Sequence, residues 1–384
     1  MGSIRLRSTS FWTLPALVVG IVSCSGEKGP TQPAGLTFTA VSTGGTQSCG
    51  VTAAGAAYCW GVNVWGQLGD GTTTDRANPV LVAGSVRFAA LTAGYGHTCG
   101  VTAAGAAYCW GYNSTGQLGD GTTTDRASPV LVAGGRSFAA VSAGTGHTCG
   151  ITAAGAAYCW GDNSAGQLGD GTTTNQSTPG LVAGGVSFAA VSAGGYHMCG
   201  VTAARAAYCW GSNAYGVLGD GTTTNRTSPV LVTGGVSFAA VSAGDHYTCG
   251  VTAAGAAYCW GYNGEGELGD STTTDRSSPG PVSGGVGFAA LRARYGHTCG
   301  VTAAGAAYCW GYNSTGQLGD GTTTDRATPG LVAGGVTFAV VSAGNGHTCG
   351  VTPAGAAYCW GINSGGQLGD GTTTNRLTPV RVVP

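Results

Sequence analysis

Five histidines stand two residues ahead of a cysteine, at His97, His147, His197, His297 and His347, and a His-x-Cys pair repeated in this way could hold a metal ion. Gln47 and Tyr247 occupy the same place while Cys49 and Cys249 remain, so the cysteine does not depend on the histidine. No Cys-x-x-Cys pair accompanies them. The expected role is a ring nitrogen hydrogen-bonded to a neighbouring turn, with no metal. The run Asp70-Gly-Thr-Thr-Thr-Asp75 offers oxygen ligands, but it lacks the alternating carboxylates and distal glutamate of a calcium loop. Asx and hydroxyl turns, with Asp75 beside Arg76, account for it. No nucleophile, base and orienting acid recur together, and no glycine-rich phosphate loop joins a strand to a helix. These residues predict neither an enzyme nor a cofactor.

The 15 cysteines divide into Cys24 and seven pairs: Cys49 with Cys59, Cys99 with Cys109, Cys149 with Cys159, Cys199 with Cys209, Cys249 with Cys259, Cys299 with Cys309, and Cys349 with Cys359. Fourteen cysteines in seven regular pairs read as seven disulfides of an exported protein. The N-terminus agrees, with Arg5 and Arg7 ahead of an apolar stretch from Phe11 to Val22 that is short for a bilayer span. Ile21-Val22-Ser23-Cys24 resembles a bacterial lipobox, which implies a signal peptide over residues 1–24 and a lipid on Cys24. Residues 25–35 read as a flexible tether. The expected location is the cell envelope, periplasmic or at the surface, with the membrane touched only by the N-terminal lipid. Charged residues make up only 8% of the chain and the net charge is −1, so no field for nucleic acid or anionic headgroups is present.

These residues sit in a repeat. From residue 36 to 384 a strict fifty-residue step carries Trp60 onto Trp110, Trp160, Trp210, Trp260, Trp310 and Trp360, with no insertion. Each unit holds four short candidate strands, for example about Pro129 to Val132, Phe138 to Ser142, His147 to Thr152 and Ala156 to Trp160, separated by glycine-containing turns. Thr152 to Ala156 fits a hairpin with a three-residue loop whose Gly155 supplies a positive φ. Cys149 and Cys159 then fall opposite each other on one sheet face, close enough for a disulfide. Four strands repeated seven times predict an all-β, seven-bladed β-propeller. The first unit lacks one of its four strands at the start, and the last segment, Pro379 to Val383, is expected to supply it and so close the ring. The tryptophans are expected to pack between blades.

The strings His97-Thr98-Cys99-Gly100-Val101-Thr102, Ala107-Tyr108-Cys109-Trp110-Gly111-Tyr112-Asn113 and Gly116-Gln117-Leu118-Gly119-Asp120-Gly121 resemble the repeat of the regulator of chromosome condensation family. The resemblance recurs in all seven units and implies a seven-bladed propeller. It also brings a second function to weigh, since the founding member is a guanine nucleotide exchange factor. Such members use a wedge hairpin inserted in one blade, and no repeat here carries an insertion.

Comparison among the repeats separates scaffold from variable positions. One variable cluster follows the second candidate strand: Tyr95, Tyr196, Asp245, His246, Tyr295 and Asn345. A second flanks the asparagine after Trp-Gly and includes Val62, Trp65, Tyr112, Tyr215, Tyr262, Glu265, Glu267 and Tyr312. Residues 265–294 depart most from the repeat, adding Arg292 and Arg294. Strand direction places both variable loops at one end of the ring, opposite the nearly invariant Thr-Ala-Ala-Gly hairpins. Differing aromatic and polar side chains on a rigid frame predict a binding face for a protein or an envelope glycan.

Overall fold

The computed structural model describes residues 35–384, so the leader, Cys24 and the tether up to residue 34 lie outside the described residues. The described residues form seven four-stranded antiparallel sheets, each built from consecutive strands. Blade 1 comprises β1 (Ala40–Thr43), β2 (Gln47–Val51), β3 (Ala57–Gly61) and β4 (Arg76–Leu81). Blade 2 comprises β5 (Ala90–Ala93), β6 (His97–Val101), β7 (Ala107–Gly111) and β8 (Arg126–Leu131). Blades 3 to 7 span 140–181, 190–231, 238–281, 290–331 and 340–381. The first strand of each blade is innermost. β1 packs against β5 on one side and against Val340–Ala343 of blade 7 on the other, so the blades close into a ring.

The expected strand exchange at closure is corrected by the pairing. Arg126–Leu131 bonds to Ala107–Gly111, not to the strands after it, so it is the outer strand of the preceding blade. In the same way Arg376–Arg381 pairs with Ala357–Gly361 and completes blade 7, and blade 1 already has four strands of its own. A fifty-residue period sets the length of the unit but not its phase, and the long loop of residues 112–125 still returns to β7.

Closure is made by side chains instead. Trp110 is fully buried against Cys49, Cys59, Leu68 and Val82 of blade 1, and its Nε1 donates to Gln67 O at 3.0 Å. Trp60 makes the same contact with Cys349, Cys359, Leu368 and Val382 of blade 7. The final seam is therefore built like the others. Glycine is required where the seams are tightest. A Cβ on Gly69, whose φ is +71°, would come within 2.6 Å of Trp110 Nε1, and one on Gly100 within 2.5 Å of the Phe88 ring.

Within each blade the second and third strands face each other in the expected register, and the seven expected disulfides are all present. Cys49 bonds to Cys59, Cys99 to Cys109, Cys149 to Cys159 and Cys199 to Cys209, each with Cα atoms 4.1 Å apart. Cys249 bonds to Cys259, Cys299 to Cys309 and Cys349 to Cys359 at the same 4.1 Å. By the chain-entropy model a loop this short adds about 2–3 kcal/mol per bridge. The hairpin turns as the sequence requires, with Thr152 N–H donating to Ala156 O at 3.0 Å and Gly155 at φ +83°. Each outer strand carries a proline, Pro79 in β4 and Pro129 in β8 among them, which fits an edge whose outward N–H groups need no partner.

The histidines lie in the seams. His97 Nε2 is 2.9 Å from Thr148 Oγ1 of the next blade, and the threonine hydroxyl donates to Gln117 O at 2.9 Å. Nε2 must then carry the proton, since the hydroxyl has spent its own. The partner is thus a strand threonine and not the neighbouring turn expected. At His147 that threonine is replaced by Met198, and Nε2 has no partner.

Candidate functional site

The two variable loops stand on a fixed polar frame. In the longer loop Asn63 Nδ2 donates to Thr72 O at 3.0 Å and Thr74 O at 3.2 Å, while its Oδ1 accepts the Leu68 N–H at 2.9 Å. Asp70 accepts from the Thr72 N–H and hydroxyl and from Arg76 Nε. Those donors hold the Asp70 carboxyl below its ordinary range, against the opposing effect of burial. Arg76 therefore pairs with Asp70, not with Asp75, whose Oδ1 instead accepts the Asn63 N–H at 2.7 Å. The short turns are linked to one another around the mouth of the ring: Tyr95 N–H donates to Gly144 O at 3.1 Å, and Asn345 N–H donates to Gly44 O at 3.0 Å across the last seam.

On this frame the candidate side chains fall into separate groups. Trp65 packs on Tyr112 and Tyr95, with ring centroids 5.1 and 6.4 Å apart, at the top of blades 1 and 2. Val62, half-buried, lies one seam away beside Gly365. Tyr95 also meets Tyr295, 200 positions along the chain, at 5.9 Å. The Tyr295 hydroxyl is 3.3 Å from Thr145 Oγ1, and Arg294 reaches Ala143 O at 3.4 Å. Three blades thus meet over the mouth of the channel. Tyr295 adopts a left-handed φ of 37°, a conformation uncommon for an aromatic residue.

Arg292 belongs to the channel and not to the face. In the other blades a hydroxyl stands at its position, and Ser42, Thr92, Ser142, Ser192, Ser242 and Ser342 each accept an N–H of the next inner strand at 2.9–3.1 Å. Arg292 interrupts that ring and donates to Leu291 O.

The remaining candidates gather over blades 4 to 6. Tyr196 stacks on His246 at 6.3 Å, Tyr215 meets His246 at 5.4 Å and Tyr262 at 5.1 Å, and His246 Nε2 is 3.2 Å from Asp245 Oδ2. Beside them opens a cleft of about 360 Å³ lined by Asp245, His246, Tyr262, Glu265, Tyr295 and Tyr312. Six sequence candidates therefore converge on it.

Its floor holds a seventh residue of the variable clusters, Glu267, and Tyr247, which lies outside them. Tyr247 replaces the seam histidine, and its hydroxyl donates to His297 O at 2.6 Å while accepting from the Arg294 N–H, with Thr298 Oγ1 3.1 Å away. Glu267 is 1% exposed, and its Oε2 accepts the Glu265 N–H at 2.9 Å. Burial raises its carboxyl to about 7, with Glu265 and Asp275 adding to the effect. Burial also raises Asp245, against the opposing pull of His246 and Arg294. The signal for both floor residues was a break in a column, tyrosine among histidines and glutamate among glutamines. The cysteines of the ring are all in disulfides and offer no thiolate, and among the described residues no group of three His, Cys, Asp or Glu is placed to hold a metal.

The profile of the RCC1-like domain matches residues 19–341, and that of the regulator of chromosome condensation (RCC1) repeat matches 338–367 and 354–384. No curated protein sequence matches. Among solved structures the chain is similar to human WBSCR16, with 21% identity over 86% of this chain and 94% of that one and a TM-score of 0.78. It is similar to yeast RCC1 (Prp20), solved bound to Kap60, with 18% identity over 85% and 83% and a TM-score of 0.76. The ectodomain of the Arabidopsis thaliana receptor kinase ACR4 follows, with 19% identity over 91% and 98% and a TM-score of 0.55. At these identities the likeness is one of fold.

Proposed function

The chain belongs to the RCC1-like domain family, whose propellers are generally non-catalytic binding domains, and from that premise we propose that it is a binding scaffold of the bacterial cell envelope that holds a protein on one end of its ring. One observation carries this reading. The residues that differ between repeats collect at one end, over blades 4 to 6 in particular, around a cleft with an aromatic wall and an acidic floor. The opposite end repeats one hairpin almost unchanged. Drift on a solvated surface gives no reason for polar differences to assemble around a cavity. Tyrosine and tryptophan supply contact area at small entropic cost, and a frame fixed by buried asparagines leaves little to order on binding.

The envelope location is supported by the lipobox-like Ile21 to Cys24 and by seven disulfides, which an oxidising compartment maintains. Nucleotide exchange, the activity of the family's founding member, has less support. The uniform fifty-residue step leaves no wedge hairpin, and an exported chain does not meet a nuclear GTPase.

The test is affinity capture from whole envelope extract on the full chain. A second version carries the commonest residue of each column at the variable top positions. A protein retained by the native chain alone is the expected result. Equal retention by both, or by neither, would remove the face from consideration, and a glycan retained by the native chain would replace protein as the ligand class.

A further inference from the structure

We propose that the cleft between blades 5 and 6 is a receptor for one cationic side chain, a lysine or an arginine, presented by the protein partner. This rests on the binding-scaffold reading and names the chemistry its partner must offer.

The sister repeats reveal what the position of Glu267 requires. Gln67, Gln117, Gln167, Gln317 and Gln367 each accept the N–H two residues earlier through Oε1, at 2.7–3.0 Å, which holds the loop in shape. Glu267 does the same through Oε2 at 2.9 Å. Building the loop therefore needs no acid, and the same loop forms even at Val217, which has no side-chain acceptor. What glutamate adds is a second oxygen where glutamine places its amide nitrogen, a group left without a partner at Gln67, Gln117 and Gln317. That oxygen faces the cleft near Gly296, 3.8 Å from where a Cβ on that glycine would stand. A carboxylate accepts several hydrogen bonds, so Glu267 keeps capacity for an incoming donor.

The walls favour a cation as well. Tyr262, Tyr295 and Tyr312 line the cleft, and a cation within about 6 Å of a tyrosine ring centroid is attracted by its face. Glu265 stands at the rim, beside Asp325 of the next blade. The nearby arginines are already engaged. Arg294 lies 5.6 Å from the Tyr295 centroid and reaches Ala143 O, and Arg276 and Arg326 pair with Asp270 and Asp320. Among the described residues, Glu265 and Glu267 remain without a cation. The volume, about 360 Å³, suits a side chain with its flanking backbone.

Calorimetric titration of the full chain tests this with acetyl-Gly-Lys-Gly-amide, its arginine counterpart and its norleucine counterpart. Norleucine keeps the apolar stem and lacks the charge. The lysine and arginine peptides are expected to bind at least tenfold more tightly than norleucine. Glu267→Gln and Glu265→Thr, each the residue of sister repeats, are expected to weaken lysine binding at least tenfold while a single cooperative melt is retained. Equal binding of norleucine, no binding of either cationic peptide, or undiminished binding by both variants would overturn the proposal. Binding of N-acetylglucosamine with no response to the cationic peptides would also overturn it, in favour of a sugar. In the envelope capture, a partner retained equally by the native chain and by Glu267→Gln but lost from the consensus face would leave the face standing and remove the cation.

Discussion

Two seams of the ring share one backbone and differ in chemistry. Between blades 2 and 3, His97 meets Thr148, and both Thr148 and Trp160 Nε1 bond to the carbonyl of Gln117. Between blades 5 and 6, Trp310 Nε1 and Thr298 bond to the carbonyl of Glu267 at 2.8 and 3.1 Å, while Tyr247 takes the place of the histidine. The indole, the disulfide and the carbonyl do the same work in both. The polar side chains at the top of the seam are consequently free to change, and in one seam they have changed toward a buried acid and a cluster of phenols. Stability resides in what repeats, and the proposed recognition in what departs from it.

Three measurements bear on that contrast. The largest effect is expected from acid. Burial keeps the histidines neutral, with pKa values of about 3 for His97, His197 and His297 and about 4 for His147 and His347. Unfolded histidine takes up a proton near pH 6.5, so between that value and the folded pKa the unfolded state binds more protons. Stability is complete above about pH 6.5 and falls below it by about 1.4 kcal/mol per histidine per pH unit. Urea midpoints from pH 7.5 to 5.0 should trace this slope. Replacing His97 and His297 by glutamine, as at Gln47, should flatten it, and an unchanged slope would detach the seams from the pH response.

Next come Trp160→Ala and Trp310→Ala, each expected to cost about 3–5 kcal/mol by denaturant titration because both indoles fill the same kind of core. A clearly smaller loss at Trp310 would mean that the departing seam differs in its core as well as in its polar layer.

The smallest concerns Glu267→Gln. Burial, then neighbouring Glu265 and Asp275, lift its carboxyl from an ordinary 4.5 to about 7, so the native state loses stability as pH rises through that interval. The glutamine variant should be more stable at pH 8, by about 3 kcal/mol at most, and equal to the parent near pH 4.5. A variant less stable at pH 8 would show that the acid supports the seam.

Much of this was legible in the residues. The period gave the blades, and the symmetry of Cys149 and Cys159 about a glycine turn gave the disulfide register. What the period could not give was phase. Arg126–Leu131 could join the strands on either side, and only the return of residues 112–125 to β7 decides it. Nor could it give contacts that depend on the curvature of the ring. Tyr95 and Tyr295 touch because the inner strands leave a mouth narrow enough for two rings to meet, and Arg292 turns inward because its position faces the channel. Arg76 chose Asp70 over its sequence neighbour Asp75 because the Asx turn aims Asp70 Oδ2 at the guanidinium, while Asp75 is taken by the Asn63 amide. Glu267 was visible as a departure, but its burial needed the fold.

The seam between blades 7 and 1 repeats the parts of the other six, with Trp60 in the blade 7 core and Ser48 bonded to His347 at 2.9 Å. A face that accepts its neighbour in this way would accept the same face on a second chain, and copies joined so would form swapped dimers or open head-to-tail filaments. The closed ring is selected because its last pairing is intramolecular. A tethered face is present at an effective concentration of about millimolar, far above that of a second molecule in dilute solution. Refolding at high protein concentration is where the two outcomes compete, and there the covalent chain, more than any distinctive contact, keeps the seventh blade for the first.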